Sequence, residues 1–434
     1  MKIIADFEKA KSLMSRQSVR LSSDNVEQEK VVRQIVDDVR ARGDAALFDY
    51  TEKFDGVRLT RLEVGKREID RAFRKIDVSL LKALELAAER ITAFHIKQKR
   101  SLLRDNAASK LGWLMRPLHK VGVITPGFMA PLPSSLLMTA IPARVAGVRE
   151  IILASPPQKS GGVSPVTLVA AKIAGVDRVF SIGGAQAVAA LAYGTDSVPC
   201  VDKVCGPGAI YGQLAKKIVY GAVGVDGLYG PSEVVIIADN TANPVYIAAD
   251  LMAQAEHGSG AAAILITNSR RLANNMNREI DEQLKSLKRR GIIEESLEKR
   301  DMIVLVDTID RALELANLYA PEHLCLVVKD AASYVEKVKN AGCLFIGENS
   351  VEVLVDYLAG PSHVLPTGGT ARFGSPLNVM DFVKMITVVN LDRKDVGRLS
   401  RPASVIAKAE GLDAHARAAE IRLSDIGQGR QLHD

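Results

Sequence analysis

The chain has 434 residues, with 57 Lys and Arg against 51 Asp and Glu and a formal net charge of +6. That length exceeds one small core, so two or more domains are expected; 47% hydrophobic and 25% charged residues is the balance of a soluble globular enzyme. Aromatic residues make up 5%, too few for a nucleic-acid stacking platform, and the densest basic run, Lys285 to Arg290, fits a solvated helical face.

The first hundred residues read as helical. Val32, Ile35, Val36 and Val39 share one face and Gly43 is placed to end that helix; a second helical pattern runs from about Ile69 to Lys99. From Lys120 the pattern changes to short apolar runs separated by helices. Val121–Ile124, closed by Thr125-Pro126-Gly127, then Glu150–Ala154 and Arg178–Ile182 read as strands, with a glycine turn opening a helix at Ala185. A second series follows: Val234–Ile237, Ala263–Ile266, Met302–Val306, Leu324–Val328 and Leu344–Ile346. Strands alternating with helices imply parallel sheets covered on both faces, and two series imply two sheets. After about Asp381 the chain turns mixed and then helical.

Cys200, Cys205, Cys325 and Cys343 form no CxxC pair and no zinc-thiolate spacing. The opening residues Met1 to Asp6 carry charges where a signal peptide needs an apolar run, and no stretch has the length and apolarity of a membrane span. The expectation is a cytoplasmic protein with neither a membrane nor a nucleic-acid partner.

Four segments place a histidine beside polar residues. In Gln254-Ala255-Glu256-His257, the first and last residues are three apart at a helix end and point from one face. Pro321 breaks a helix ahead of Glu322-His323, which then occupy a turn entering a strand; read alone, the pair fits a surface glutamate beside a half-buried histidine. Asp356 to His363 runs into Val364-Leu365-Pro366-Thr367-Gly368-Gly369 with little periodicity, as functional loops do. Glu410-Gly411-Leu412-Asp413-Ala414-His415 reads locally as exposed helix. Gly183-Gly184-Ala185-Gln186 and Gly206-Pro207-Gly208 follow strand-like runs, but neither is the GxGxxG of a standard dinucleotide site.

Together, in this order and spacing, the four segments resemble the histidinol dehydrogenase family, as do Gly183-Gly184-Ala185-Gln186-Ala187, Val201-Asp202-Lys203, Gly206-Pro207-Gly208 and Gly230-Pro231-Ser232-Glu233. The resemblance implies an α/β fold of two Rossmann-like parallel-sheet domains with small N- and C-terminal helical extensions. The implied boundaries are an arm over 1–25, a larger discontinuous domain over 26–120 and 235–380, an NAD-side domain over 121–234, and a tail over 381–434. It further implies NAD-linked, zinc-dependent oxidation of L-histidinol through the aldehyde to L-histidine, in the last steps of histidine biosynthesis. The implied zinc ligands are Gln254, His257, Asp356 and His415. His323 is the implied general base and Glu322 the residue that activates water. Ser232, His363 and Glu410 join Gln254, His257, Glu322, Asp356 and His415 at substrate positions. The tail carrying Glu410 and His415 is implied to be exchanged in a homodimer.

The NAD contact is implied at Ile124, Gln186 and Ala209. Two of these depart from the family: it usually has an aromatic residue and a second glycine in the segment Ile124-Thr125-Pro126-Gly127-Phe128, and Asn at Ala209. Tyr229 stands where a small residue is common. The competing readings are a relative acting on another small polar alcohol, such as a sulfonated propanediol, and a metal-binding relative without catalysis.

Overall fold

A computed structural model describes residues 1–17, 25–125, 131–299 and 301–427; Pro126, Gly127 and Phe128 lie outside the described residues. The chain divides into two compact units, one of Met1–Arg100 with Pro117–Phe382 and one of Ser101–Arg116 with Val383–Asp434.

The first unit holds two parallel sheets. Six strands run in the order Lys2–Ile4, Met302–Leu305, Ala262–Thr267, Glu233–Ala238, His323–Val327, Cys343–Ile346. Five run in the order Arg178–Phe180, Glu150–Ala154, Lys120–Ile124, Lys203–Cys205, Gly224–Val225. Every paired strand within both sheets is parallel. The six-stranded sheet shows why such strands read as unbroken apolar runs. Val234, Ile236, Leu265, Ile303 and Cys325 enter the core on one face; Val235, Ile237, Ile264, Val304, Leu324 and Leu326 enter that on the other. Both faces are therefore buried.

The expected boundaries shift in three places. Residues 2–4 are an edge strand paired with Met302–Val304, and the helix Phe7–Gln17 contributes Ala10 and Met14 to the core beneath it, so the N-terminus is part of the larger sheet. The face Val32, Ile35, Val36 and Val39 packs with Ile124, Ile152, Ala154 and Phe180 of the five-stranded sheet, which places that helix on the smaller sheet's side. The pattern over 69–99 is interrupted: helix Lys66–Ala72 and a 3-10 turn Phe73–Lys75 precede helix Val78–Leu102. Asp77, whose carboxylate accepts from the Ser79 N–H at 2.7 Å, sets the new start. The basic run proves to be an exposed turn over 285–289 that leads from helix Arg270–Leu284 into the start of helix Arg290–Lys299.

The second unit pairs strand Leu111–Pro117 with Val383–Val389 and ends in helices Arg393–Ala409 and Asp413–Gly427. Asp392 and Asp395 form a reciprocal cap on the first helix, and Lys110 bridges both carboxylates at 2.6 Å. Glu420 accepts from Ser404 and Lys408, each at 2.6 Å, joining the two helices. Among the described residues no helix is long and apolar enough to cross a membrane.

Candidate active site

Helix Ile309–Tyr319 ends at Ala320, whose left-handed backbone (φ 54°) turns the chain, and Pro321 prevents its continuation. His323 then opens the strand His323–Val327, in register with Val234 on one side and Cys343 on the other. Both Glu322 and His323 are buried, so the pair is an interior feature and not a surface turn. The Glu322 carboxylate accepts from the Glu233 N–H at 2.9 Å. His323 Nδ1 lies 3.2 Å from the Glu233 carbonyl oxygen and 3.3 Å from Glu352 Oε1. A carbonyl can only accept, so Nδ1 carries the proton and Nε2 keeps its lone pair. Nε2 is buried with no hydrogen-bond partner. Burial, which outweighs the bond to Glu233, pushes the His323 pKa down to about 3; the imidazole is thus a neutral base. Burial pushes the Glu322 carboxyl well above its ordinary range. The charges of Glu233, Glu352 and Asp356 add to this, and the Glu233 N–H opposes it.

A polar pocket of about 160 Å³ gathers Ser232, His257, Glu322, His323, Asp356 and His363. His257 lies just past helix Pro244–Ala255, in a turn where its N–H donates to the Gln254 carbonyl at 3.2 Å. Gln254 is fully buried in that helix's last turn, and both atoms of its side-chain amide lack a hydrogen-bond partner. Asp356 belongs to the helix Glu352–Tyr357; burial raises its carboxyl to about 6, with His257 pulling the other way. His363 Nδ1 donates to the Asp356 carbonyl at 2.7 Å, which leaves its Nε2 to accept from Ser135 at 3.0 Å. Among the described residues no group of three or more His, Cys, Asp and Glu side chains is gathered to hold a metal. Of those four residue types, the implied zinc set contributes only His257 and Asp356 from this unit.

A second, mostly apolar cavity of about 390 Å³ has Ile124, Gln186 and Ala209 among its lining residues, together with Gly183, Gly184 and Pro207. Helices Gly184–Tyr193 and Ile210–Val219 start in its wall, and no side chain caps either start. Pro207 lines this cavity and the polar pocket alike.

Glu410 and His415 belong to the second unit. Glu410 is the C-cap of Arg393–Ala409, and His415 lies in the first turn of Asp413–Gly427; both are exposed. Ser135 and Glu352, each within 3.3 Å of a pocket histidine nitrogen, were not anticipated from the sequence. Glu352 had one signal: it lies four residues before Asp356, on the same helical face. Ser135 had only its place near the start of helix Pro133–Ala146.

A neutral imidazole and a buried carboxyl thus line one pocket, and Pro207 links that pocket to a larger, mostly apolar cavity. Comparison with known proteins makes this specific. The model of the histidinol dehydrogenase family matches residues 18–423. A histidinol dehydrogenase of Dehalococcoides mccartyi strain CBDB1 is 52% identical over 398 residues, covering 92% of this chain and 91% of its own. That of Streptococcus mutans is 46% identical over 417 residues, covering 96% and 97%. The crystal structure of histidinol dehydrogenase from Elizabethkingia anophelis superposes with a TM-score of 0.93 at 34% identity, covering 98% of this chain and 99% of that one. The chain belongs to the histidinol dehydrogenase family and is an enzyme of that type.

Proposed function

We propose that the protein oxidises L-histidinol through L-histidinaldehyde to L-histidine, with NAD in the larger cavity and zinc held by Gln254, His257, Asp356 and His415. The observation that carries this reading is His323, a residue of the polar pocket whose Nδ1 is committed to a carbonyl and whose buried Nε2 has no protein partner. The Gln254 amide supports the metal: an unpartnered buried polar atom costs about 1–3 kcal/mol unless a ligand meets it. Amide and carboxylate oxygens with an imidazole nitrogen are a donor set that suits zinc.

Carrying a primary alcohol to a carboxylate removes two hydrides. Zinc held by Gln254, His257, Asp356 and His415 would orient and polarise the substrate, and NAD would supply the hydride acceptor. His323 Nε2 takes the hydroxyl proton as hydride leaves the carbinol carbon. Glu322, buried next in the chain to that base, takes a proton from the water that adds to the aldehyde; His323 then serves the resulting hydrate. Ser232, His363 and Glu410 bind the substrate. Ile124, Gln186 and Ala209 contact NAD, and the uncapped N–H groups after Gly183 and Ala209 offer donors to its phosphates. Two copies exchange their tails, so that each supplies Glu410 and His415 to the other.

The zinc assignment is tested with His257→Ala. Losing even an outer partner of a metal ligand weakens metal affinity about 10- to 100-fold, so this variant should lose zinc at least that readily in dialysis against a metal buffer. Full zinc content together with full histidinol turnover would remove His257 from the set.

A further inference from the structure

The loop between the two cavities is held by residues that line neither. Gly206 has φ +113°, and a Cβ there would fall 2.4 Å from the Ile124 carbonyl oxygen, so the chain must pass without a side chain. Both of its backbone polar groups are held. The Gly206 N–H donates to Asp226 Oδ2 at 2.7 Å, and Lys216 Nζ donates to the Gly206 carbonyl at 3.1 Å. Lys216 and Asp226 are joined at 2.6 Å with both side chains at 0% exposure, and Asp226 Oδ1 also accepts from the Gly227 N–H at 2.9 Å.

From this pair the connections run to both cavities. The Tyr229 ring sits 4.6 Å from Lys216 Nζ and lines the polar pocket. Gln213 accepts from the Tyr229 N–H at 2.9 Å and donates to the Gly208 carbonyl at 3.3 Å, and Gly208 lines the larger cavity. Gly227 accommodates this arrangement, since a Cβ there would meet the Tyr229 ring at 3.0 Å. A buried ion pair is often no better for stability than apolar residues of the same volume, so stability alone does not account for it.

We infer that Lys216 and Asp226 are positioning residues for hydride transfer. Their pair fixes the Gly206-Pro207-Gly208 loop, whose Pro207 lines both the cofactor cavity and the substrate pocket, and Tyr229 carries that setting into the pocket. The inference rests on the reaction proposed above, in which a hydride crosses between ligands on the two sides of this loop.

Asp226→Asn is the sharper variant. It keeps the side chain's shape, but either orientation of the amide sets an N–H donor against Gly206 N–H or against Lys216 and Gly227 together. Lys216→Met removes the other grip. The full-length, zinc-loaded protein is assayed with L-histidinol carrying protium or deuterium at the carbinol carbon, and NAD binding is measured by calorimetry. A small misplacement of reacting atoms costs up to about 100-fold in rate. The expected result for Asp226→Asn is a kcat about 10- to 100-fold lower, a deuterium isotope effect larger than that of the unaltered protein, and an NAD affinity changed less than kcat. Lys216→Met should move the same way; if it does not fold, Asp226→Asn decides alone. An unchanged kcat and isotope effect, even with lowered thermal stability, would make the pair purely structural and overturn the inference. An NAD affinity lost as fully as kcat would do the same. If the unaltered protein fails to oxidise histidinol, the proposed reaction falls and the inference with it; if it turns over and the variants match it, only the inference falls.

Discussion

Replacement of His323 by alanine should slow alcohol oxidation by about 10²- to 10⁴-fold, the usual contribution of a positioned general base. No other group in the pocket has the same credentials. Its Nδ1 proton is fixed on the Glu233 carbonyl, burial keeps the ring neutral, and Nε2 has no protein partner to compete with a substrate hydroxyl. His363 cannot replace it, because its Nδ1 donates to the Asp356 carbonyl and its Nε2 already accepts from Ser135. His323 is outside the proposed zinc set, so metal content should stay near that of the unaltered protein. The imidazole packs edge-on against Phe345, with ring centroids 5.8 Å apart, so a modest drop in thermal stability is also expected. Single-turnover formation of NADH from histidinol, alongside zinc analysis, checks both points. Near-normal NADH formation would take the base role away from His323.

Glu322→Gln should separate the two half-reactions. The amide oxygen can still accept from the Glu233 N–H that now holds the carboxylate at 2.9 Å, so the fold around it is preserved, but an amide cannot take a proton from water. Oxidation supplied with L-histidinaldehyde should fall by about 10²- to 10⁴-fold, the contribution of the lost base. Oxidation of histidinol to the aldehyde should fall far less. Measuring NADH formation separately from the two substrates decides the matter. Equal losses on both would mean that Glu322 serves the site by shape or charge and not by hydration.

The sheets were legible because strands buried on both faces cannot hide their character. Glu233–Ala238 and Ala262–Thr267 are buried along their whole length, and their apolar runs say so. The strands not anticipated lack that signal. Lys2–Ile4, Lys203–Cys205 and Gly224–Val225 are two or three residues long, and Leu111–Pro117 alternates buried and exposed positions irregularly. The side on which residues 26–42 pack was also hidden, since an apolar helical face names no partner. Within the site, Glu322-His323 read locally as a surface turn, because the burial of both comes from Val234 and Cys343 strands distant in sequence. Order and spacing across four segments made the pair stand out. Glu352, Ser135 and the Lys216–Asp226 pair had no such aid, because their roles depend on contacts that only the folded chain supplies.

The most direct test of the account is the stoichiometry of the reaction. Purified, zinc-loaded protein given limiting L-histidinol and excess NAD should form two NADH for each histidinol consumed, release L-histidine without free aldehyde, and stop when a chelator strips the metal. One NADH per histidinol with aldehyde released, or no turnover with histidinol and turnover with another small polar alcohol, would contradict it.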